Sequence, residues 1–366
     1  MHGNQSFRRI ALKVFALAAV LTVPAGARIR QEAGTIWVTE RTTGGQSTVA
    51  AIDAATGEPL GIVPVGDNPI GITAPAGTNK VYSSDEDADQ VSVIDKDSFT
   101  IVARIPVGDR PHHLMASRNG HYVYVAQFGT NTVGVIDTRL DEKVADVTVS
   151  HLAEARTHAV WISTNGRYLY ATNERPSNTT QATFSKVDLK SGDILWEQVV
   201  GNRPSEVLVD GDIAYVSVRN EHTIKVYDIG GVRPELLSQA EANFQPDTLS
   251  LTNDKGTLIV GLRQNPAGRP ARMALIDVND VTHPATTYVE LPPGTITGHQ
   301  WLSSNGAVTY IALEGRAATA TVPAVPGHVA VVDNLTRTLI ATYPYPNGRI
   351  RPHGVFFEQQ RLADRE

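Results

Sequence analysis

Three stretches of the chain place a histidine two residues after an arginine: Arg110-Pro-His112, Arg156-Thr-His158 and Arg351-Pro-His353. A fourth histidine, His299 in "TGHQW", stands at the same point of a related stretch. Neutral imidazole is the commonest metal ligand, and zinc or copper takes its nitrogen at about 2 Å. If His112, His158, His299 and His353 converge, they suit copper or zinc. The sequence holds no cysteine, so a thiolate-ligated metal, a disulfide and a cysteine nucleophile are excluded. The competing reading makes each histidine a polar liner of a shared channel, bonded to a carbonyl or to water. No GxSxG, HExxH or Walker A motif occurs, so no catalytic residue is assigned.

Arginine and glutamate accompany the histidines. Arg110, Arg156, Arg203 and Arg351 each precede the phase position by two residues. A second series comes from the following strands: Arg41, Glu86, Phe128, Glu174, Arg219, Arg263 and Glu314. Arginine forks pair bidentately with carboxylate or phosphate, so Arg110, Arg156, Arg203, Arg351, Arg219 and Arg263, with Glu174 and Glu314, are expected to bind an anionic small molecule. The alternative is that these arginines pair with Glu86, Glu174 and Glu314 and staple neighbouring units together.

What must position these residues is a repeat. The phase residues are Ile70, His112, His158, Ser205, Asp247, His299 and His353, separated by 42, 46, 47, 42, 52 and 54 residues. Each unit reads as four strands: an apolar first strand ("HLMAS", "AVWIS"), a tight turn ("RNGH", "TNGR", "SNGA"), a second strand ("YVYVA", "YLYAT"), a third ("TVGVID", "HVAVVD") and a more polar fourth. A period of this size built from strands indicates propeller blades. The reading starts in mid-unit with "TIWVTE" and finishes with the first strand "RPHGVFFE", so the two ends complete one blade. The fold class is therefore all-β, a seven-bladed propeller of four-stranded antiparallel blades over residues 34–358, with 359–366 as a tail. In such a ring the first strands line the central channel, and the phase residues gather at its mouth. His113, one residue off phase, is expected to point into blade packing. The long segments Asn173–Thr183, Gly261–Met273 and Glu314–Gly327 are expected on the same rim.

"YVYVAQFGTNTVGVID" and "YLYATNE" resemble the YVTN-type, YncE-like seven-bladed propellers, whose motif runs Tyr-Val-Thr-Asn, a short loop, then Asn-Thr-Val-x-Val-Ile-Asp. Tyr170–Asn173 comes closest to the literal motif. The wider superfamily includes lactonase-like propellers, haem d1 propellers and the N-terminal propeller of nitrous oxide reductase. The resemblance implies the fold and leaves the chemistry open.

Net charge is −6 with acids and bases interspersed, which argues against nucleic acid as partner. Arg8, Arg9 and Lys13 precede the apolar run Val14–Val23, and Ala25 and Ala27 follow at small-residue cleavage positions. This is the order of a signal peptide, residues 1–27, cleaved near Ala27. The run is too short to span a bilayer, so the expectation is a periplasmic or secreted protein without a membrane span. Taken together, the sequence leads to an exported propeller whose mouth binds or acts on an anionic small molecule. A metal-dependent hydrolase or lactonase and a copper-dependent oxidoreductase both fit. The alternative is a non-catalytic scaffold that holds a ligand or a partner protein.

Overall fold

The structure, a computed structural model, describes residues 32–42, 46–263, 270–319, 323–349 and 351–359. The signal-peptide reading over residues 1–27 and the tail beyond Gln359 lie outside the described residues.

Seven four-stranded antiparallel sheets form the ring. Their innermost strands are Pro69–Thr73, Pro111–Ala116, Arg156–Ile162, Pro204–Asp210, Pro246–Leu251, Ile296–Leu302 and Pro352–Gln359, and they define blades 1 to 7. The seventh blade pairs Pro352–Gln359 with Gly34–Glu40, Val38 standing opposite Val355. The two ends of the described chain thus close the ring and bury strand edges that would otherwise invite another chain. The turns follow the sequence: Asn119-Gly120 joins the first two strands of blade 2, with Gly120 at φ 71°. Among the described residues only single turns of 3₁₀ helix occur, and no helix is long and apolar enough to cross a membrane.

The core lies between blades. Leu208, Tyr215 and Ile224 of blade 4 pack on Leu249, Leu258 and Val260 of blade 5, and similar layers join most neighbours. Alternating side chains serve the two faces of each sheet, so every blade contributes to two layers.

One irregularity recurs in all seven blades. The first strand gains one residue against the second at the phase position, as between Pro111 and Leu114, Pro204 and Val207, or Pro246 and Leu249. Such a bulge leaves a backbone N–H and a carbonyl unpaired and re-aims the side chains beside it. In four blades a second-strand hydroxyl fills the gap. Thr172 accepts from the Ala159 N–H at 3.1 Å and donates to the Ser205 carbonyl of the next blade at 3.0 Å. Ser217 does the same for Glu206 N–H (2.8 Å) and Asp247 O (3.1 Å), and Ser84 and Thr39 occupy the equivalent places. Thr172 is the threonine of the Tyr-Val-Thr-Asn-like stretch. That motif position therefore repairs the bulge and ties one blade to the next. Blades approach closely here: a Cβ on Gly354 would lie 2.3 Å from the Ile70 carbonyl oxygen.

Candidate functional site

The bulges bring the phase residues and the second-strand ends to one mouth. A cavity of about 320 Å³ there is lined by Ile70, His112 and His158 at its floor and by Arg41, Glu86, Arg110, Phe128, Arg203, Arg219, Gln245 and Arg263 around it. Arg110 and Arg203 sit at φ 55° and 58°, a left-handed turn just before the first strand. Non-glycine residues rarely hold this conformation, and where they do it is often at functional positions.

Three of the four loop arginines pair with rim glutamates. Arg110 bonds Glu86, Arg203 Nε lies 3.4 Å from Glu174, and Arg351 Nε lies 3.6 Å from Glu314. Arg156 instead stands 5.9 Å from the centre of the Phe128 ring, whose face Arg110 also approaches at 4.9 Å. Arg41 donates through Nε to Asn68 at 2.7 Å and is 3.9 Å from Glu314. Stapling is thus realised at the rim, but it does not neutralise the mouth. Seven arginines (41, 110, 156, 203, 219, 263, 351) meet four carboxylates (Glu86, Glu174, Glu314, Asp247), a surplus of three positive charges.

The floor is a buried polar chain. His158 donates its Nδ1–H to the Ser205 carbonyl at 2.7 Å, and its Nε2 accepts from Arg219 Nη2 at 3.2 Å. Arg219 also bonds the buried Asp247, which accepts from Arg263 Nη1 at 3.2 Å. Burial pushes the Asp247 carboxyl up, but Arg219 and Arg263 overcome it and hold the group well below the usual carboxylate range. Burial and the Arg219 charge keep His158 well below the ordinary imidazole value, so it is neutral.

His353 is wholly buried and donates Nδ1–H to Glu314 at 2.6 Å, leaving Nε2 without a partner. Burial and Arg41 lower its pKa to about 4, against the opposing pull of Glu314. Burial would raise Glu314, but the bond from His353 and nearby arginines bring it down to about 2. The pair is therefore a neutral imidazole beside a carboxylate. His112 and His299 are also held well below the ordinary value, by burial first and by neighbouring histidines second.

The four phase histidines form two pairs. His112 and His158 have ring centres 4.3 Å apart, and His299 and His353 4.8 Å apart. Only the first pair lines the mouth cavity. His158 has both nitrogens engaged, one of them by a guanidinium that would repel a cation. So arranged, His158 offers no free nitrogen to copper or zinc. Among the described residues no group of three or more His, Asp or Glu side chains is placed to hold a metal ion.

Of the expected anion-binding residues, Arg110, Arg203, Arg219 and Arg263 line the cavity, while Glu174, Glu314, Arg156 and Arg351 stand behind them. Asp247 and Glu206 were not assigned a role from type and spacing, and the expectation for His113 fails. Asp247 holds two of the arginines, and its phase position among histidines was the available signal. His113 does not point into blade packing: it lines a second axial cavity, its Nε2 3.2 Å from a Glu206 oxygen. Of the long rim segments, residues 264–269 and 320–322 lie outside the described residues.

The fold and site define a seven-bladed propeller with a basic, histidine-floored mouth. Residues 35–159 match the family model described as "Lactonase, 7-bladed beta-propeller", and the resemblance to lactonase-like propellers is borne out. The solved structures include several similar ones. The periplasmic gluconolactonase of Pseudomonas aeruginosa is 18% identical over 88% of this chain and 98% of its own, with a TM-score of 0.64. Hydrazine synthase of Kuenenia stuttgartiensis is 18% identical over 86% of this chain and 99% of its own, TM-score 0.64. A hypothetical selenium-binding protein of Sulfolobus tokodaii is 10% identical over 90% and 94%, TM-score 0.70. At these identities the likeness is one of fold. No curated protein matches the sequence.

Proposed function

We propose that the mouth binds a small molecule bearing a carboxylate or phosphate, and that its substrate is an anionic lactone whose ring ester it hydrolyses. The observation that carries this reading is the surplus of guanidinium groups around a cavity of about 320 Å³ floored by a neutral imidazole. Arg203 and Arg263 would fork onto the anionic group. Arg219, fixed by Asp247, would face the oxygen that becomes negative as water adds to the carbonyl. His112 lines the cavity and is neutral, so it can accept the proton of the attacking water. The new C–O bond forms, the ring C–O bond breaks, and the leaving alkoxide takes the proton from the imidazolium. An anion bound beside His112 would raise its pKa from the depressed value and strengthen it as a base.

The lactonase match supports the reaction class, and the chemistry needs no metal at the histidines. The rim pairs Arg110–Glu86 and Arg203–Glu174 favour a second reading, a rigid scaffold that binds such an anion without turnover. We read residues 1–27 as an export signal; N-terminal sequencing of the protein recovered from outside the cytoplasm should begin near Arg28. The test of the function is a proton-release assay with δ-gluconolactone and its 6-phosphate. Hydrolysis that prefers the phosphorylated lactone and is lost in His112→Ala supports hydrolysis. Tight binding of the hydroxy acid without turnover supports the scaffold.

A further inference from the structure

The axial channel does not stay basic. Below the histidine floor lies a second cavity of about 220 Å³, bounded by His113, Glu206, His299 and Gln300 and by the indoles of Trp161 and Trp301. No arginine or lysine lines it. The Glu206 side chain is buried, the residue 8% exposed. Its neighbour is His113, whose Nε2 lies 3.2 Å from a Glu206 oxygen and whose Nδ1 accepts the Val160 N–H at 3.4 Å, so the ring proton sits on Nε2. That tautomer is neutral and leaves the carboxylate charge uncompensated. Gln300 borders the cavity, but its amide is turned into the blade: Nε2 donates to the Ile259 carbonyl at 2.6 Å and the buried Oε1 lies toward Gly261.

A buried carboxylate with no opposite charge beside it is costly unless something else compensates it. We propose that this cavity is a binding site for a small organic cation, a primary alkylammonium. The ammonium would meet Glu206 and lie against the indoles of Trp161 and Trp301, ring systems that attract cations. An inorganic ion fits less well, because among the described residues no three acidic or imidazole groups are placed to hold one. Entry is from the face opposite the basic mouth. There a wider pocket of about 310 Å³ shares Trp161, Leu249 and Trp301 with the cavity, and Trp301 is 38% exposed. One channel thus offers an anion site at one end and a cation site at the other.

The test uses the full chain and three probes of similar size: n-propylammonium, tetramethylammonium and 1-propanol, followed by tryptophan fluorescence and calorimetry. The proposal expects n-propylammonium to saturate the signal, tetramethylammonium to bind more weakly for want of a donor, and 1-propanol to give no saturation. Glu206→Gln should weaken n-propylammonium by about tenfold or more, the size of a charged hydrogen bond. Trp301→Leu, on the exposed rim, should weaken it by roughly threefold or more. Both variants should keep the anion binding of the opposite mouth, which separates loss of this site from failed folding or from failure of the lactone reading. Equal binding of 1-propanol, no saturation by n-propylammonium, or unchanged affinity in a folded Glu206→Gln would overturn the proposal.

Discussion

Arg219 donates from Nη2 to Nε2 of His158 across 3.2 Å, inside the floor of the mouth. The place where a metal would sit on that imidazole is taken by a guanidinium, itself anchored on Asp247. On the proposed function, a site that first suggests metal chemistry serves anions instead. Chelator-treated protein should keep its affinity for an anionic ligand, and elemental analysis should show far less than one metal per chain. Stoichiometric copper or zinc, lost together with binding on chelation, would return the histidines to a ligand role.

Asp247 carries the electrostatics of the floor, since its carboxylate serves both Arg219 and Arg263. Asp247→Asn removes the charge and leaves two guanidiniums beside a neutral His158. Breaking a buried pair in this way costs about 3–5 kcal/mol, which urea unfolding would read as a lower midpoint with an unchanged slope. A loss below about 0.5 kcal/mol, the range of an ordinary surface change, would show that the pair is not what holds the floor together.

The bulge hydroxyls give a prediction about the ring. Thr172→Val keeps the shape but leaves the buried Ala159 N–H without a partner, while the Ser205 carbonyl keeps only its bond from His158. The expected cost is about 1–3 kcal/mol. Thr180→Val, on the exposed surface, serves as the control and should stay within about 0.5 kcal/mol of wild type.

Stability should fall with pH below the ordinary imidazole range. The folded chain holds His112, His158, His299 and His353 neutral, with His353 lowered to about 4. Between about 6.5 and the lowered values the unfolded chain binds protons that the folded chain does not, so stability rises with pH across that window and is level above it. Each such group contributes up to about 1.4 kcal/mol per pH unit. Glu314, lowered to about 2, acts in the same direction at more acid pH, while Asp85 and Glu86, pushed up by burial, oppose it. Urea midpoints measured from pH 7.5 to 5 should decline; a flat profile would contradict the neutral-histidine assignment.

The blade plan was legible because turns such as Asn119-Gly120 and period-two strands are local signals, and because "TIWVTE" and "RPHGVFFE" are complementary fragments of one unit. The mouth was legible in part: counting from the phase residue located His112, Arg110 and Arg203, and counting along the second strands located Arg219 and Arg263. The bulge set the limit. Strict alternation sends adjacent residues to opposite faces, so His113, one past the phase, read as a packing residue, and Glu206 at the equivalent place drew no reading. The extra residue at each bulge turns that position into the axis. Partners were equally hidden, since Asp247 serves arginines from two blades, which the linear sequence does not place together.

The most direct test of the account is a calorimetric titration of 6-phosphogluconate into the wild-type chain and into Arg263→Ala, each checked for an intact fold by its thermal midpoint. The account predicts one binding site in the wild type, weakened by added salt, and an affinity about tenfold or more lower in Arg263→Ala, the worth of a charge-assisted hydrogen bond. No binding in the wild type, or equal affinity in a folded Arg263→Ala, would contradict it.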